Sequence, residues 1–501
     1  MNSKIKATLR KFLSVVLAAL TVFGCAGAAF AAGSDASGTV NGVDWVYTSA
    51  DKTLVLSGSG TLGEDVADFG LFGGSWVAEH VKIGADVNIT TGRVFENFDF
   101  VDEYEVDANN KYLCNPDGVL MDKDKTVLIK YPAGSKEFSF YTVPDTVKTI
   151  SYRAFEFSSA LKTIFLNDGL KTIENFAFDN CGNLLYITIP GTVTSMGKGV
   201  LAQCNLLNKV TIEEGVTAIP EDAFDRCRSL ETVNLPDSLT TIGDIAFFGC
   251  TKLKTLKLPK NLQTFTDSPG RNFGGLNIAL TVDPENQYFS TDDLGVLYNK
   301  DKTLLYYCPN LPYTFDYTVR CDLNKYAFKG CENLRNVDIA YNLRAIPTYA
   351  FNGCKNLNTV TLPATLQRVD GAAFDSSLNT VNYRGTEELW KLITIDSYDN
   401  SAIKSANVVY NYSEEEEPEE ITFTFDRSKS TVTITGSGTL TVNDIKKWDT
   451  SEINTYALKV KIGKNINVTD ARVFCDSIQP FYYMKSVSYT HLRAHETLAN
   501  L

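Results

Sequence analysis

A strict 23-residue repeat constrains the fold of this chain more than any other feature of its sequence. Ala-Phe dipeptides recur at this step, with Val200-Leu201 taking one place in the series, and their second residues are Phe155, Phe178, Phe224, Phe247, Phe328, Phe351 and Phe374. A unit of this length cannot enclose a core by itself, so its apolar side chains must be buried by stacking on neighbouring units. The sequence therefore predicts a solenoid.

Each repeat contains one short strand. The segment Thr232 to Leu235 alternates polar and apolar residues, which predicts inward Val233 and Leu235, and Pro236 ends the strand. The Ala-Phe stretch that follows is predicted to be a single helical or 3₁₀ turn that places Phe in the interior. We expect a β-rich α/β solenoid, with a parallel sheet along one face and small β modules flanking the array.

The repeat resembles a known family in several specific motifs. Ala-Phe-x-Gly-Cys-x-x-Leu occurs at residues 246–253, 327–334 and 350–357, and Tyr383-Arg-Gly-Thr-Glu-Glu-Leu-Trp390 precedes Ile393-Thr-Ile395. In these features the chain is similar to the BspA-like leucine-rich repeat proteins of bacterial surfaces, over roughly residues 105 to 412. The resemblance implies a leucine-rich repeat array and a role in adhesion or recognition.

Two other duplications define the predicted domains. Gly295 to Leu305 repeats Gly118 to Leu128, which predicts a β-hairpin insertion at about residues 268–318 within an array of residues 105–412. Leu54 to Leu62 is echoed by Val432 to Leu440, which predicts an N-terminal β module at 32–104 and a second at 421–486. Residues 413–420 are almost all acidic and are expected to be a linker. The second module is expected to open a second array that this chain lacks.

Both termini are expected to be processing or non-native segments. Basic residues, an apolar run and Ala29-Phe30-Ala31 predict a secretory signal peptide at residues 1–31. An alternative makes Cys25 an acylated lipoprotein residue, which would be the only membrane anchor. Residues 487–501 resemble translated sequencing-adapter read-through, so the pair His491 and His495 is not interpreted as a metal site.

The cysteines follow the repeat. Six of the eleven keep the 23-residue phase and are predicted to point the same way in successive coils: Cys181, Cys204, Cys227, Cys250, Cys331 and Cys354. Parallel side chains bridge poorly, so we expect a column of buried, reduced thiols rather than disulfides, a metal site or a redox centre. Cys308 and Cys321 lie outside the column, and their pairing stays open.

Composition and motifs argue against several functions. The net charge of -13 disfavours nucleic acid, because that affinity comes from basic residues. Only three His occur, and His80 is expected to be a surface or structural residue. Gly58 to Gly63 matches a dinucleotide fingerprint by letters but is interpreted as a turn. We therefore predict no catalytic, cofactor-binding or metal-binding residues, and no enzyme activity.

What remains is a binding surface on the outward positions of the stacked strands. The candidate ligand-binding residues there are Phe165, Tyr186, Lys209, Asn234, Lys257, Asn336 and Asp338. Exposed aromatic residues in adjacent coils, Phe165 and Tyr186, would anchor a partner. The alternative is that both rings pack under the neighbouring hairpin.

The sequence thus favours a secreted, surface-associated bacterial protein that binds an extracellular protein or surface macromolecule without catalysis. A second hypothesis makes the chain the non-catalytic repeat arm of a larger secreted enzyme or cell-wall protein whose working domain followed the array.

Overall fold

The computed structural model describes residues 35–67, 78–96, 98–135, 139–374 and 378–413, and six short strands between residues 422 and 489. The predicted signal peptide with Cys25, nearly all of the acidic linker, and tail residues 490–501 lie outside this part of the chain. The chain divides into two compact units, residues 1–411 and 412–501. No described helix is long and apolar enough to cross a membrane.

The first unit begins with a mixed sheet. Its strands are β1 (Ala36–Val40), β2 (Val43–Thr48), β3 (Thr53–Leu62), β4 (His80–Ile83), β5 (Asp86–Ile89) and β6 (Glu103–Val106). The sheet order is β1-β2-β3-β4-β6; β1 to β3 are antiparallel, β4 and β6 add in parallel, and β5 pairs with the second half of β3. A short helix α1 (Glu64–Ala67) and a 3₁₀ turn at Gly92–Phe95 connect these strands.

A three-stranded meander joins this sheet to the repeats. Its strands are β7 (Leu113–Cys114), β8 (Leu120–Asp122) and β9 (Val127–Lys130), with a 3₁₀ turn at Pro116–Gly118. The strands pair antiparallel in sequence order, and β9 then pairs in parallel with the second strand of the array, Thr149–Ile150. An antiparallel insertion thus feeds directly into a parallel stack.

The first run of repeats alternates a front strand and a shorter back strand in every coil. In chain order these are β10 (Phe140–Thr142), β11 (Thr149–Ile150), β12 (Thr163–Phe165), β13 (Thr172–Ile173), β14 (Tyr186–Ile189), β15 (Ser195–Met196), β16 (Lys209–Ile212), β17 (Ala218–Ile219), β18 (Thr232–Asn234), β19 (Thr241–Ile242), β20 (Thr255–Leu258), β21 (Thr264–Phe265) and β22 (Ala279–Val282), with helix α2 (Pro269–Phe273) before the last.

Even-numbered strands of this run form the front face. Strands β10-β12-β14-β16-β18 make one parallel sheet, and β20 pairs in parallel with β22. The back strands form β9-β11-β13-β15 and β17-β19-β21. The predicted solenoid with a parallel sheet on one face is confirmed, and the second line of short strands is an addition to it.

A second meander and a second run of repeats complete the first unit. The strands are β23 (Phe289–Thr291), β24 (Leu297–Asn299), β25 (Leu304–Tyr307), β26 (Phe315–Val319), β27 (Asp322–Leu323), β28 (Leu334–Ile339), β29 (Ala345–Ile346), β30 (Thr359–Leu362), β31 (Arg368–Val369), β32 (Thr380–Tyr383), β33 (Thr394–Ile395) and β34 (Asn407–Val409), with helices α3 (Glu387–Trp390) and α4 (Ser401–Ser405). Strands β26-β28-β30-β32-β34 form the front sheet, and β29-β31-β33 the back sheet. Strand β22, inside the predicted insertion, still stacks in parallel, so only β23 to β25 are antiparallel.

The repeat Phe residues fill the core as predicted, but the predicted helical turn is wrong. Phe155 and Phe178 are fully buried, with ring centroids 5.0 Å apart in successive coils. In the coil of Phe155, the segment instead contains two residues with positive φ, Arg153 and Phe157. A right-handed helical turn does not accommodate positive φ values. The amides of the segment bond the next coil: Phe155 N–H donates to the carbonyl of Ala177 at 2.7 Å.

The outward alternation of the front strands follows the prediction with one adjustment. Inward residues such as Ile187 and Val210 are buried, whereas Val233 and Leu235 pack against the core but remain half-buried.

The second unit repeats the strand pairing of the first module. Its strands are β35 (Thr422–Asp426), β36 (Thr431–Thr435), β37 (Gly438–Thr439), β38 (Lys459–Ile462), β39 (Ile466–Asn467) and β40 (Ser486–Tyr489). Val432 pairs with Val460 as Leu54 pairs with Val81. Strand β40 lies parallel to β38 and contains the first three residues of the predicted non-native tail.

Candidate binding surface

The outward residues of the first front sheet form two rows across the strands. Register places Phe140, Thr163, Tyr186, Lys209 and Thr232 in one row, each opposite the next. The other row pairs Thr142 with Phe165, and Thr188 with Thr211 and Asn234. Neighbouring strands in such a sheet lie about 4.8 Å apart, so the first row is a continuous surface.

Three aromatic side chains stand on adjacent strands of these rows, and we name Phe140, Phe165 and Tyr186 the aromatic patch. Their exposed fractions are 61%, 52% and 49%. Phe165 and Tyr186 therefore do not pack beneath a hairpin, the alternative left open by the sequence. Leu185, which directly precedes Tyr186 in the chain, is also exposed.

Phe140 was missed at the sequence level although it is the most exposed member of the patch. The predicted outward residues begin one coil later, with Phe165, although Ala154-Phe155 follows Phe140 at the usual repeat spacing. A signal was present nonetheless, because stepping 23 residues back from Thr163 leads to Phe140, its partner in the sheet.

The polar candidates divide between the patch and other strands. Lys209 is exposed in the same row as Tyr186. Asn234, two strands from Tyr186, donates from Nδ2 to Oγ1 of Thr211 at 3.3 Å. Lys257 lies on β20, where its ammonium pairs with Asp283 at 2.8 Å and its pKa is raised by that bond.

Asn336 and Asp338 belong to a different sheet and are half-buried. Asn336 Nδ2 donates to Asp316 Oδ1 at 2.9 Å, and Asp338 pairs with Arg384 at 2.8 Å. Both lie on β28 in the second run of repeats, so the structure does not join them to the sheet that carries the aromatic patch.

The thiol column is buried and hydrogen-bonded. The Sγ atoms of Cys181, Cys204, Cys227 and Cys250 each donate to a main-chain carbonyl of the preceding coil at 3.0–3.2 Å. Burial raises the pKa values of Cys204 and Cys250 well above the ordinary thiol value. Cys308 and Cys321 are free thiols as well, so the structure does not pair them with each other.

Other candidate chemistry resolves into structural roles. Gly58 to Leu62 continue strand β3, so the predicted turn is wrong; Gly58 has φ +83, and there the strand exchanges its parallel partner β4 for β5. His80 lies on β4 with Nδ1 3.6 Å from the carboxylate of Glu103. No group of three or more His, Cys, Asp or Glu side chains in the described residues is arranged to hold a metal ion.

Several solved structures similar to this chain are bacterial leucine-rich repeat proteins. A leucine-rich repeat protein from Eubacterium ventriosum is 26% identical, with a TM-score of 0.35, over 44% of this chain and 63% of its own. A leucine-rich cell surface protein from Faecalibacterium prausnitzii is 20% identical, with a TM-score of 0.44, over 73% of this chain and 99% of its own. The pneumococcal vaccine antigen PcpA is 17% identical, with a TM-score of 0.39, over 88% and 98%.

Sequence comparison gives the firmer assignment. No curated protein matches the chain. The family model for the BspA type leucine-rich repeat region matches in six copies, at residues 133–254, 217–273 and 304–417, which together span half of the chain. With the 23-residue coils, the stacked Phe residues and the thiol column, this match shows that the chain belongs to the BspA-type leucine-rich repeat family.

Proposed function

We propose that this protein works outside the bacterial cell, secreted or attached to the surface, and binds a macromolecular partner without catalysis. The observation that carries the proposal is the aromatic patch, whose three rings lie half exposed on adjacent strands of a rigid sheet. Aromatic side chains immobilised on a scaffold lose little entropy on binding and dominate interface energies.

The surroundings of the patch favour a protein partner. In the first row Thr163 separates Phe140 from Tyr186, and Lys209 continues the row beyond Tyr186. This arrangement has an apolar centre with a polar rim, as in protein interfaces. The predicted signal peptide at residues 1–31 supports export, and cell fractionation tests it directly.

Binding to immobilised fibronectin, fibrinogen and mucin tests the proposal. We expect the wild-type chain to bind at least one, and the double variant Phe165→Ser/Tyr186→Ser to lose about 2 kcal/mol, roughly 30-fold in Kd. Adding Phe140→Ser should weaken binding further. The matched control replaces two exposed tyrosines elsewhere, Tyr112→Ser/Tyr288→Ser, and should bind as the wild type does. Equal loss in both double variants would contradict a role for the patch.

A further inference from the structure

One loop of the second run of repeats is three residues shorter than its counterpart in the next coil. Front strands β26 and β28 pair Val319 with Ile339, and back strands β27 and β29 begin at Asp322 and Ala345. Only Arg320 and Cys321 connect front strand β26 to back strand β27. In the next coil, the five residues Ala340 to Arg344 connect β28 to β29. The longer loop, Ala340 to Arg344, is therefore only partly covered by the shorter loop of the preceding coil.

An open cavity of about 430 Å³ lies at this step between the coils. Among its lining residues are Asp322, Tyr341, Arg344, Ala345, Arg368 and Asp370. Its volume falls within the usual range of small-molecule sites.

The small side chain of Ala345 makes the cavity deeper. Ala345 is an outward residue of β29, directly opposite Arg368 on β31. Its methyl group leaves space that a longer side chain would fill. The main-chain carbonyl of Arg344 accepts from the amides of Gln367 and Arg368, at 2.8 and 3.2 Å, which fixes the loop against the next coil.

The two guanidinium groups of the cavity are in different states. Arg368 Nε lies 3.0 Å from Oδ1 of Asp370, so its charge is neutralised in place. Arg344 is exposed and makes no ion pair with any residue that the structure describes. A free guanidinium beside a cavity suits a carboxylate, which it can bind through two parallel N–H donors.

We propose that this cavity binds a sugar acid, with the ligand carboxylate on Arg344. The Asp322 and Asp370 carboxylates are acceptors for sugar hydroxyls, and the exposed ring of Tyr341 offers an apolar surface to one face of the sugar. A neutral sugar leaves Arg344 without a counter-charge, and a simple carboxylate leaves the aspartates without donors. None of these residues belongs to the aromatic patch, so the two binding proposals fail or succeed separately.

Calorimetric titration of the full chain with D-glucuronate and N-acetylneuraminate tests the proposal. We expect saturable binding of at least one of them, and at least tenfold weaker binding of glucose and acetate. Arg344→Gln should weaken the sugar acid tenfold or more, whereas Arg228→Gln, an exposed arginine in the first run of repeats, should change nothing. If the methyl glycoside of the sugar acid binds as well as the unsubstituted sugar acid, the natural ligand is the terminal residue of a glycan. If only the unsubstituted sugar acid binds, the natural ligand is a free sugar acid.

A second variant separates loss of the site from loss of the fold. Ala345→Leu fills the cavity floor and leaves every charged group in place, so it should abolish binding at an unchanged melting temperature. No binding of either sugar acid by the wild type, or equal affinity for glucose, would overturn the proposal. Unchanged affinity in Arg344→Gln or in Ala345→Leu would overturn it as well.

Discussion

The thiol of Cys204 donates a hydrogen bond to the main-chain carbonyl of Phe178, 3.1 Å away in the preceding coil. The same bond recurs from Cys181 to Phe155 and from Cys250 to Phe224. Each of these carbonyls also accepts a main-chain amide of its own coil, from Ser158, Cys181 or Cys227, so the thiol supplies a second hydrogen bond that joins successive coils. The cysteine column is therefore part of the scaffold.

Thiols held in this way should stay reduced and unreactive. In the native protein we expect Cys204 to resist iodoacetamide, since the thiol is buried and its pKa is raised by desolvation. Cys114, which is partly exposed, is the internal control and should be labelled faster than Cys204. Mass spectrometry of the unreduced protein gives both results. A disulfide between any two column members, or equal labelling rates, would show that the column geometry is wrong.

The stacked and the exposed phenylalanines should differ sharply in their effect on stability. Phe178→Ala removes a fully buried ring from the stack and is expected to lower the free energy of unfolding by about 3–5 kcal/mol. Phe165→Ala should change it by about 0.5 kcal/mol or less, because that ring is half exposed. Urea titration of the two variants measures the difference. A large loss in Phe165→Ala would identify that ring as a packing residue and would remove it from the aromatic patch.

Close stacking of the coils also limits one turn to glycine. A Cβ atom at Gly191 would overlap the carbonyl oxygen of Glu214 in the next coil. We expect Gly191→Ala to lower the free energy of unfolding by about 2 kcal/mol, because the two backbones must separate. Gly182→Ala is the control, since the nearest atom to its Cβ is the carbonyl oxygen of Asn180 at 3.9 Å. Thermal unfolding that shifts equally in both would mean that the turns are less tightly packed.

The 23-residue period predicted the front strands and the Phe and Cys columns, because each depends only on which residues recur in phase. The corner turns were not predictable in this way. Arg153, Asp222 and Tyr326 hold positive φ at equivalent positions without glycine, and the main-chain amide of each donates to a carbonyl of the next coil.

The candidate sites were predicted unevenly for a similar reason. Outward Phe165 and Tyr186 followed from strand alternation. The cavity beside Arg344 depends on a difference in loop length, which becomes visible only when Val319 is paired with Ile339. The back strands that carry Asp322 and Ala345 are two residues long, too short to show any alternation.

A buried lysine at the start of the array makes stability depend on pH. Lys130 is 2% exposed, and its Nζ donates to the carbonyl oxygen of Arg153 at 2.8 Å. Desolvation lowers the pKa of Lys130 from 10.5 to about 8, against the opposing charge of Asp99. Between these two pKa values the unfolded chain holds a proton that the folded chain has released, so stability rises with pH across that window.

Below pH 8, the charged ammonium therefore costs roughly 3 kcal/mol of folding free energy. Lys130→Met removes this cost but also a hydrogen bond worth about 1 kcal/mol. We expect the variant to be more stable than the wild type by about 2 kcal/mol at pH 7, with the gain lost by about pH 10.5. Urea unfolding at both pH values measures it, with the exposed Lys209→Met as the control that should show neither effect. A variant that is less stable at pH 7, or a gain that persists at high pH, would mean that Lys130 is not destabilised by its burial.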